Sequence, residues 1–263
     1  MHNILSLEGR IALVTGAGQG VGRQTALHFA ANGCAAILVN DFHAERARAV
    51  AAEVEALGAR AVVVAGDVTD YPDLAQRISA AVAEAGGLHI LVNNAGNAGP
   101  TSEIGELPPF WQTEPDDWHR WLATNLYGVM NATRISVPHI IASGSGGSIV
   151  NVISDAGRVG EPNLVAYSAA KAGAAGFSRA LAKSLGAHDI RVNSVSLASI
   201  NTPGLQGLLA DEALVKRMLK QYIVRRVGEP TDAANMILFL ASGAASWISG
   251  QTYPVNGGYS TSQ

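Results

Sequence analysis

"IALVTGAGQGVGR", residues 11–23, passes from a β-branched apolar run, through four closely spaced glycines, toward an alanine-containing stretch. Residues 11–15 have the length and side chains of a buried strand, and 21–32 the composition of a helix. Between them, Gly16, Gly20 and Gly22 sit at the spacing T-G-x-x-x-G-x-G. Glycines there permit a tight turn whose bare backbone, and the helix N-terminus after it, can face an anionic group such as a pyrophosphate. The turn gains its meaning from its place between a first strand and a first helix.

The same alternation continues outward. "AAILVN" (35–40), "AVVVAG" (61–66), "LHILVN" (88–93), "GSIVNVIS" (147–154), "IRVNSVS" (190–196) and "QTYPVN" (251–256) read as further strands. Their near-continuous apolar character is that of parallel strands covered on both faces. Helical stretches follow at 44–57, 71–85, 117–142, 165–186 and 230–241, and Gly33, Gly58 and Gly186 stand where helix C-caps are expected. Repeated βα units predict a Rossmann-type α/β fold, a doubly wound parallel sheet of about seven strands with helices on both faces. No linker or repeat separates a second unit, so residues 1–263 are expected to form a single dinucleotide-binding domain. Two stretches break the rhythm, the proline-rich 97–117, leading to Phe110, Trp111 and Trp118, and 199–224 after the sixth strand. Both follow the carboxyl ends of strands, where open α/β sheets bind ligands, and they are expected to cover the substrate.

Composition narrows the function classes. A net charge of -3 and a sequence pI near 6.1 give no electrostatic footprint for nucleic acid. The lone Cys34 cannot form an intrachain disulfide and is expected to be a buried thiol. Glu8 and Arg10 interrupt the apolar N-terminus, and no apolar run has the length to span a bilayer, so a cytoplasmic protein is expected. None of the seven histidines forms an H-E-x-x-H pair, and no metal is expected.

The end of the second strand bears on the cofactor. Asp41 in "LVNDF" can accept hydrogen bonds from the adenosine ribose of NAD and would repel the 2′-phosphate of NADP. Gln19 leaves the glycine turn without a cation to neutralise such a phosphate. NAD is therefore expected. Asp41 can also serve as a helix N-cap.

"AYSAAK", residues 166–171, sets the Tyr167 phenol and the Lys171 amine one helical turn apart, on one face. A nearby ammonium lowers the phenol's pKa of roughly 10 toward a value useful for proton transfer. An alanine-rich surface helix has the same pattern, so the rest of the chain decides. "GDV" (66–68), "NNAG" (93–96), "TNLYG" (124–128) and Ser154, thirteen residues before Tyr167, complete a set. With "TGAGQGVG" and "YSAAK", these motifs make nearly the whole chain resemble the short-chain dehydrogenase/reductase superfamily.

The resemblance implies an oxidoreductase that interconverts a secondary alcohol and a ketone. Tyr167 would be the acid/base, Lys171 would lower its pKa and hold the nicotinamide ribose, Ser154 would hold the substrate oxygen, and Asn125 would hold a water in the proton path. Gly16, Gln19, Gly20, Val21 and Gly22 would line the cofactor, as would Asp41, Asn94, Ala95 and Gly96. Asp67 and Val68 would contact the adenine, and Ile200 and Thr202 the nicotinamide carboxamide. It also implies a homotetramer, with helices 117–142 and 165–186 packing across a two-fold axis. The chain departs from the family pattern where Leu197 and Ala198 replace the usual Pro-Gly pair after "VNSVS". "SDAGRVG" (154–160) is similar to members acting on cyclic hydroxyacyl-CoA esters, where Arg158 would meet an anionic part of the substrate; an ion pair with Glu161 or Asp155 is its other reading. The aromatics near 110–118 and the apolar 203–224 favour a bulky, apolar or cyclic alcohol. Two alternatives remain: an NADPH-dependent 3-oxoacyl reductase, which Asp41 and Gln19 oppose, and a non-catalytic dinucleotide-binding regulator.

Overall fold

Ile11 and Leu13 point to one face of strand β1 (Ile11–Val14), Ala12 and Val14 to the other, and each face meets a different layer of helices. The computed structural model describes residues 3–97 and 108–261. Among these, β1 is joined by β2 (Ala36–Asp41), β3 (Arg60–Ala65), β4 (Ile90–Asn93), β5 (Gly147–Ser154), β6 (Ile190–Leu197) and β7 (Thr252–Val255). They form one parallel sheet in the order β3-β2-β1-β4-β5-β6-β7. These are the strands the sequence predicts, with ends displaced by a residue or two.

Helices α1 (Gly20–Ala31), α2 (Ala44–Ala56) and α10 (Pro230–Ala241) bury Phe29, Val50 and Ile237 on the Val14 face. On the Leu13 face, α3 (Tyr71–Ala85), α5 (Gly128–Ala142) and α7 (Val165–Leu185) bury Ile78, Ile135 and Leu185. Each large aliphatic side chain fully buried in this way contributes about 1.5–3 kcal/mol. Both faces being covered explains why the strands read as continuous apolar runs rather than alternating ones.

Two expectations need correction. The helix predicted over 117–142 is α4 (Pro115–Leu122), a π-turn (Ala123–Tyr127) and α5. The side-chain amide of Asn125 takes the Trp121 carbonyl at 3.0 Å, a bond that the widened turn accommodates. Gly186 is the C-cap of α7, as expected, but its φ of -58° is not left-handed: the chain continues into a short 3-10 turn (Gly186–His188), and Asp189 takes φ 60° instead. Gly33 (φ 84°) and Gly58 (φ 90°) do take the left-handed conformation after α1 and α2.

The chain leaves β1 toward β2 and β3 on one side, then returns to β4 on the other. That reversal opens a crevice at the carboxyl ends of β1 and β4, where a ligand can enter. Between β5 and α7 lies the single turn α6 (Ala156–Val159), and after β6 the segment 199–224 carries α8 (Gln206–Leu209) and α9 (Glu212–Leu219). Of the expected cover 97–117, residues 98–107 lie outside the described residues.

Candidate active site

The glycine turn is pinned from both neighbours of β1. Ala17 N donates to the Asn40 carbonyl at 2.7 Å and Gly18 N to Asp41 Oδ2 at 2.9 Å. From the β4 side, Asn94 Nδ2 donates to the carbonyls of Thr15 and Gly16, both at 3.0 Å. The Asn94 and Ala95 amides both donate to Thr15 Oγ1. Gly16 and Gly20 have φ of 60° and 55°, and a Cβ on Gly22 would stand 2.2 Å from the Gly16 carbonyl oxygen. Gln19 is the N-cap of α1 and makes no side-chain capping bond, and the first turn holds no acidic residue. Val21 and its neighbours in that turn therefore carry main-chain amides suited to a phosphate, and the turn fits a dinucleotide. Thr202 reaches the same place, since a Cβ on Gly20 would lie 3.0 Å from its methyl group.

Asp41 is buried at the end of β2, with Oδ2 on Gly18 N and Oδ1 on His43 N at 2.9 Å. It is not the cap of α2, whose N-cap is His43. Asp67 turns its carboxylate onto its own loop, taking the Thr69 amide at 2.8 Å. Val68 is buried against Gly128, where a Cβ would come within 2.7 Å of its Cγ2. Ile200 belongs by its side chain to the core, opposite Gly228. The bridge there uses the Ser199 carbonyl and the Asn201 amide, so any contact from Ile200 to a ligand falls to its own main chain.

Gly96 brings the remaining groups together. A Cβ there would lie 2.9 Å from Asn125 Oδ1 and 3.2 Å from Lys171 Nζ. Asn125 is fully buried; its amide donates to the Asn97 carbonyl and to Trp121 O, while Oδ1 accepts from Asn97 N at 3.2 Å. Both of its amide hydrogens are thus committed within the chain. Lys171 Nζ, buried, donates to the Val152 carbonyl at 3.0 Å and lies over the Tyr167 ring. Tyr167 is half-buried with its hydroxyl turned inward, near Ser154.

The electrostatics differ from the expectation that Lys171 lowers the phenol. Burial pushes Tyr167 above its ordinary value of 10.0, opposed only by the nearby Ser154 hydroxyl, and burial drives Lys171 down to about 8. Removing an ammonium from water costs more than one carbonyl returns, so within the chain alone the lysine is the group drawn toward neutrality.

Next to Ser154, Asp155 is 2 % exposed and accepts four side-chain hydrogen bonds, from Ser196, Arg158, Asn256 and Ser260. Burial raises its carboxyl pKa, but the four donors outweigh it and hold the group below 3.8. Arg158 is therefore drawn inward, to Asp155 at 2.9 Å and Ser260 at 3.2 Å, and the expectation that it meets an anionic substrate loses its support. The sequence offered Asp155 only as a partner for Arg158; its other three donors come from distant parts of the chain.

A cavity of about 310 Å³ opens against Tyr167, lined by Phe110, Trp118, Arg120, Trp121 and Leu164 among others. Phe110 stacks on Trp118 at 5.2 Å, and Trp121 meets the Tyr167 ring edge-on at 5.9 Å. A second cavity, of about 400 Å³, lies beside α9 between Leu209, Val215, Leu219 and Arg225. Among the described residues, no helix is long and apolar enough to cross a membrane.

Comparison with known proteins agrees with this geometry. A family model described as enoyl-(acyl carrier protein) reductase matches residues 16–260. Cis-4-hydroxycyclohexanecarboxylate dehydrogenase of Sinomonas cyclohexanicum is 40% identical over 250 residues, covering 95% of this chain and 96% of that protein. The 7alpha-hydroxysteroid dehydrogenase of Escherichia coli K12 is 35% identical over 254 residues, covering 97% and 95%. A solved structure of 7alpha-hydroxysteroid dehydrogenase with NADH and 7-oxo glycochenodeoxycholic acid superposes with a TM-score of 0.90 at 35% identity, covering 98% of each chain.

Proposed function

The chain belongs to the short-chain dehydrogenase/reductase superfamily, alcohol dehydrogenases and ketoreductases that use a nicotinamide dinucleotide, and we propose that it oxidises a cyclic secondary alcohol with NAD, reversibly. The observation that carries the reading is the convergence on Tyr167 of Lys171 Nζ over its ring, Ser154 near its hydroxyl and the aromatic cavity beside it.

Nicotinamide dinucleotide, when bound, supplies the hydride acceptor for oxidation and the hydride donor for reduction. In reduction the Tyr167 phenol, which burial keeps protonated, gives its Oη proton to the forming alkoxide as the ketone carbon gains hydride; oxidation is the reverse and requires Tyr167 first to pass its own proton to solvent through the path behind Lys171. Ser154 Oγ holds the same oxygen and stabilises its developing charge. Lys171 orients the ribose and, with a pKa near 8, exchanges a proton close to neutral pH. Asn125 fixes the β4 turn through Asn97, and its Oδ1 and Lys171 Nζ both stand beside Gly96, where a water in a proton path would be held. The α1 amides and Gly16–Gly22 would hold the pyrophosphate, Asp41 the adenosine ribose, Asp67 and Val68 the adenine, and Thr202 with the Ile200 main chain the carboxamide, with Asn94–Gly96 also lining the cofactor.

The cavity against Tyr167 is walled by three aromatic side chains and suits a saturated ring. Relatives named for ring alcohols support that choice, and the inward pairing of Arg158 favours the free alcohol over a CoA ester. Asp41 opposes the NADPH-dependent 3-oxoacyl reductase reading. The whole chain acts as one dinucleotide-binding unit and assembles as a homotetramer; a monomeric mass in solution would remove the latter.

The test is NADH formation from NAD across cyclic and aliphatic secondary alcohols, each free and as its hydroxyacyl-CoA. Turnover of free cyclic alcohols is expected. Tyr167→Phe should lower it by roughly 10²–10⁴-fold with NADH binding retained. Activity surviving in Tyr167→Phe, or turnover confined to CoA esters, would overturn the corresponding part of the reading.

A further inference from the structure

Ser154 must present its oxygen to within a fraction of an ångström, and the turn that follows it is held on two sides. On one side α6 lies against α7, where a Cβ on Gly157 would stand 2.7 Å from Ala172 N. On the other side the hold is polar. The Asp155 amide donates to the Leu197 carbonyl at 2.9 Å, and the Ala156 amide donates to Ser154 Oγ at 3.2 Å.

The Asp155 carboxylate sits between those two amides in sequence and is saturated on both oxygens. Oδ1 takes Ser196 Oγ at 2.7 Å and Arg158 Nη1 at 2.9 Å. Oδ2 takes Asn256 Nδ2 at 2.6 Å and Ser260 Oγ at 2.8 Å. Two donors per oxygen use the full accepting capacity of a carboxylate, and charge strengthens each bond. The donors come from β6, from α6 itself and from the C-terminal segment.

That segment is in turn fastened to the end of 199–224. The Val224 amide donates to the Gly257 carbonyl at 2.8 Å, and the rings of Tyr222 and Tyr259 lie 5.3 Å apart. Tyr222 Oη accepts the Ser199 amide at 3.1 Å, at the beginning of the same segment. A Cβ on Gly258 would fall 2.6 Å from Ile223 Cβ, so the two stretches touch closely. One buried carboxylate thus joins the Ser154 turn to the strap that anchors the substrate-covering segment.

Stability does not account for such a group. Replacing buried charged clusters by apolar residues is often neutral or stabilising, because desolvation offsets the attraction. Geometry does account for it, since a misplacement of about 1 Å at a reacting group costs on the order of 10²-fold in rate.

We propose that Asp155 is a positioning residue for hydride transfer: it acts through Ser154, by locking the Ser154–Ala156 turn to β6 and to the C-terminal strap. The proposal rests on the role given to Ser154 above, and the experiment separates the two.

Single-turnover reduction of a cyclic ketone by NADH is measured for the full-length enzyme, Ser154→Ala, Asp155→Asn and the double variant, with NADH affinity read by fluorescence. Asp155→Asn should slow the step roughly 10–100-fold. NADH affinity should stay within about twofold, because the substitution removes no cofactor contact. Above all, the double variant should be no slower than Ser154→Ala alone. Full rate in Asp155→Asn, or losses that multiply in the double variant, would overturn the proposal. A Ser154→Ala enzyme of full rate would instead overturn the role of Ser154. If Asp155→Asn does not fold, Asn256→Ala and Ser260→Ala decide. Each removes one donor and should give a smaller slowing that vanishes in the Ser154→Ala background; full rate in both would count against the proposal.

Discussion

The Lys171 ammonium lies over the ring of Tyr167, 5.8 Å from its centre, and donates its hydrogen bond to the Val152 carbonyl. The i,i+4 spacing on α7 brings the residues together, but at the ring face, while the tyrosine hydroxyl faces Ser154. The buried lysine therefore carries an electrostatic cost that the chain itself does not cancel.

That cost has a measurable sign. Unfolded, the lysine keeps its proton up to 10.5; folded, it loses it near 8. Between those values the unfolded chain binds the extra proton, so raising the pH through this window stabilises the fold, by up to roughly 3 kcal/mol. Lys171→Met removes the buried charge and leaves Val152 O unpaired, for a net gain of roughly 1–2 kcal/mol at neutral pH. Urea denaturation from pH 7 to 10.5 should show a rising wild type and a variant that is flatter, more stable at pH 7 and inactive. A variant less stable at pH 7 would mean that the ammonium is better compensated than its surroundings indicate.

Glycines separate into those the turn needs and those it does not. At Gly22 a Cβ would meet the Gly16 carbonyl oxygen at 2.2 Å and Asn94 Nδ2 at 2.4 Å, so Gly22→Ala must push the turn off β4. We expect a loss of roughly 2–4 kcal/mol of stability, by overpacking against backbone, and loss of NADH binding. Gly186 has φ -58° and open space around its Cβ position. Gly186→Ala should therefore stabilise by about 0.4–1 kcal/mol with activity unchanged. Thermal melts of the two variants check both statements.

The aromatic cavity makes a prediction about substrate rather than chemistry. Trp118 stacks on Phe110, and its indole nitrogen donates to Thr113 Oγ1 at 2.8 Å, so the ring is held as a wall. Trp118→Ala should raise KM for a cyclic alcohol by roughly tenfold, about 1.4 kcal/mol, and leave a small acyclic alcohol little affected. Equal effects on both would place the substrate elsewhere.

Strand positions were legible because burial on both faces leaves a continuous apolar signature, as in "AAILVN" and "GSIVNVIS". The glycine turn and the Ser154, Tyr167, Lys171 set were legible because their chemistry needs fixed local spacing. What the sequence hid is of two kinds. The π-turn at Asn125, where the side chain donates to the Trp121 carbonyl four residues back, has no periodicity to betray it. The Asp155 cluster joins residues 155, 158, 196, 256 and 260, which only the fold assembles. Within the chain alone, burial sets the direction of the Tyr167 shift, and spacing, which reports only proximity, does not carry that information.

Asp41 combines two tasks that mutation can separate. Its oxygens hold the Gly18 and His43 amides, which fixes the glycine turn, and each keeps a further lone pair for a ribose hydroxyl. Its charge near a 2′-phosphate would cost about 1–4 kcal/mol, depending on screening, which corresponds to a factor of roughly ten to a thousand against NADP. Asp41→Asn removes the charge and keeps one accepting oxygen, enough for only one of the two amides, so kcat/KM with NAD should fall and the preference for NAD over NADP should drop at least tenfold. Asp41→Ala releases both amides and should lower kcat/KM with both cofactors further. Steady-state kinetics with each cofactor decide the matter: an unchanged ratio in Asp41→Asn would remove the carboxylate from cofactor choice and leave it only the glycine turn.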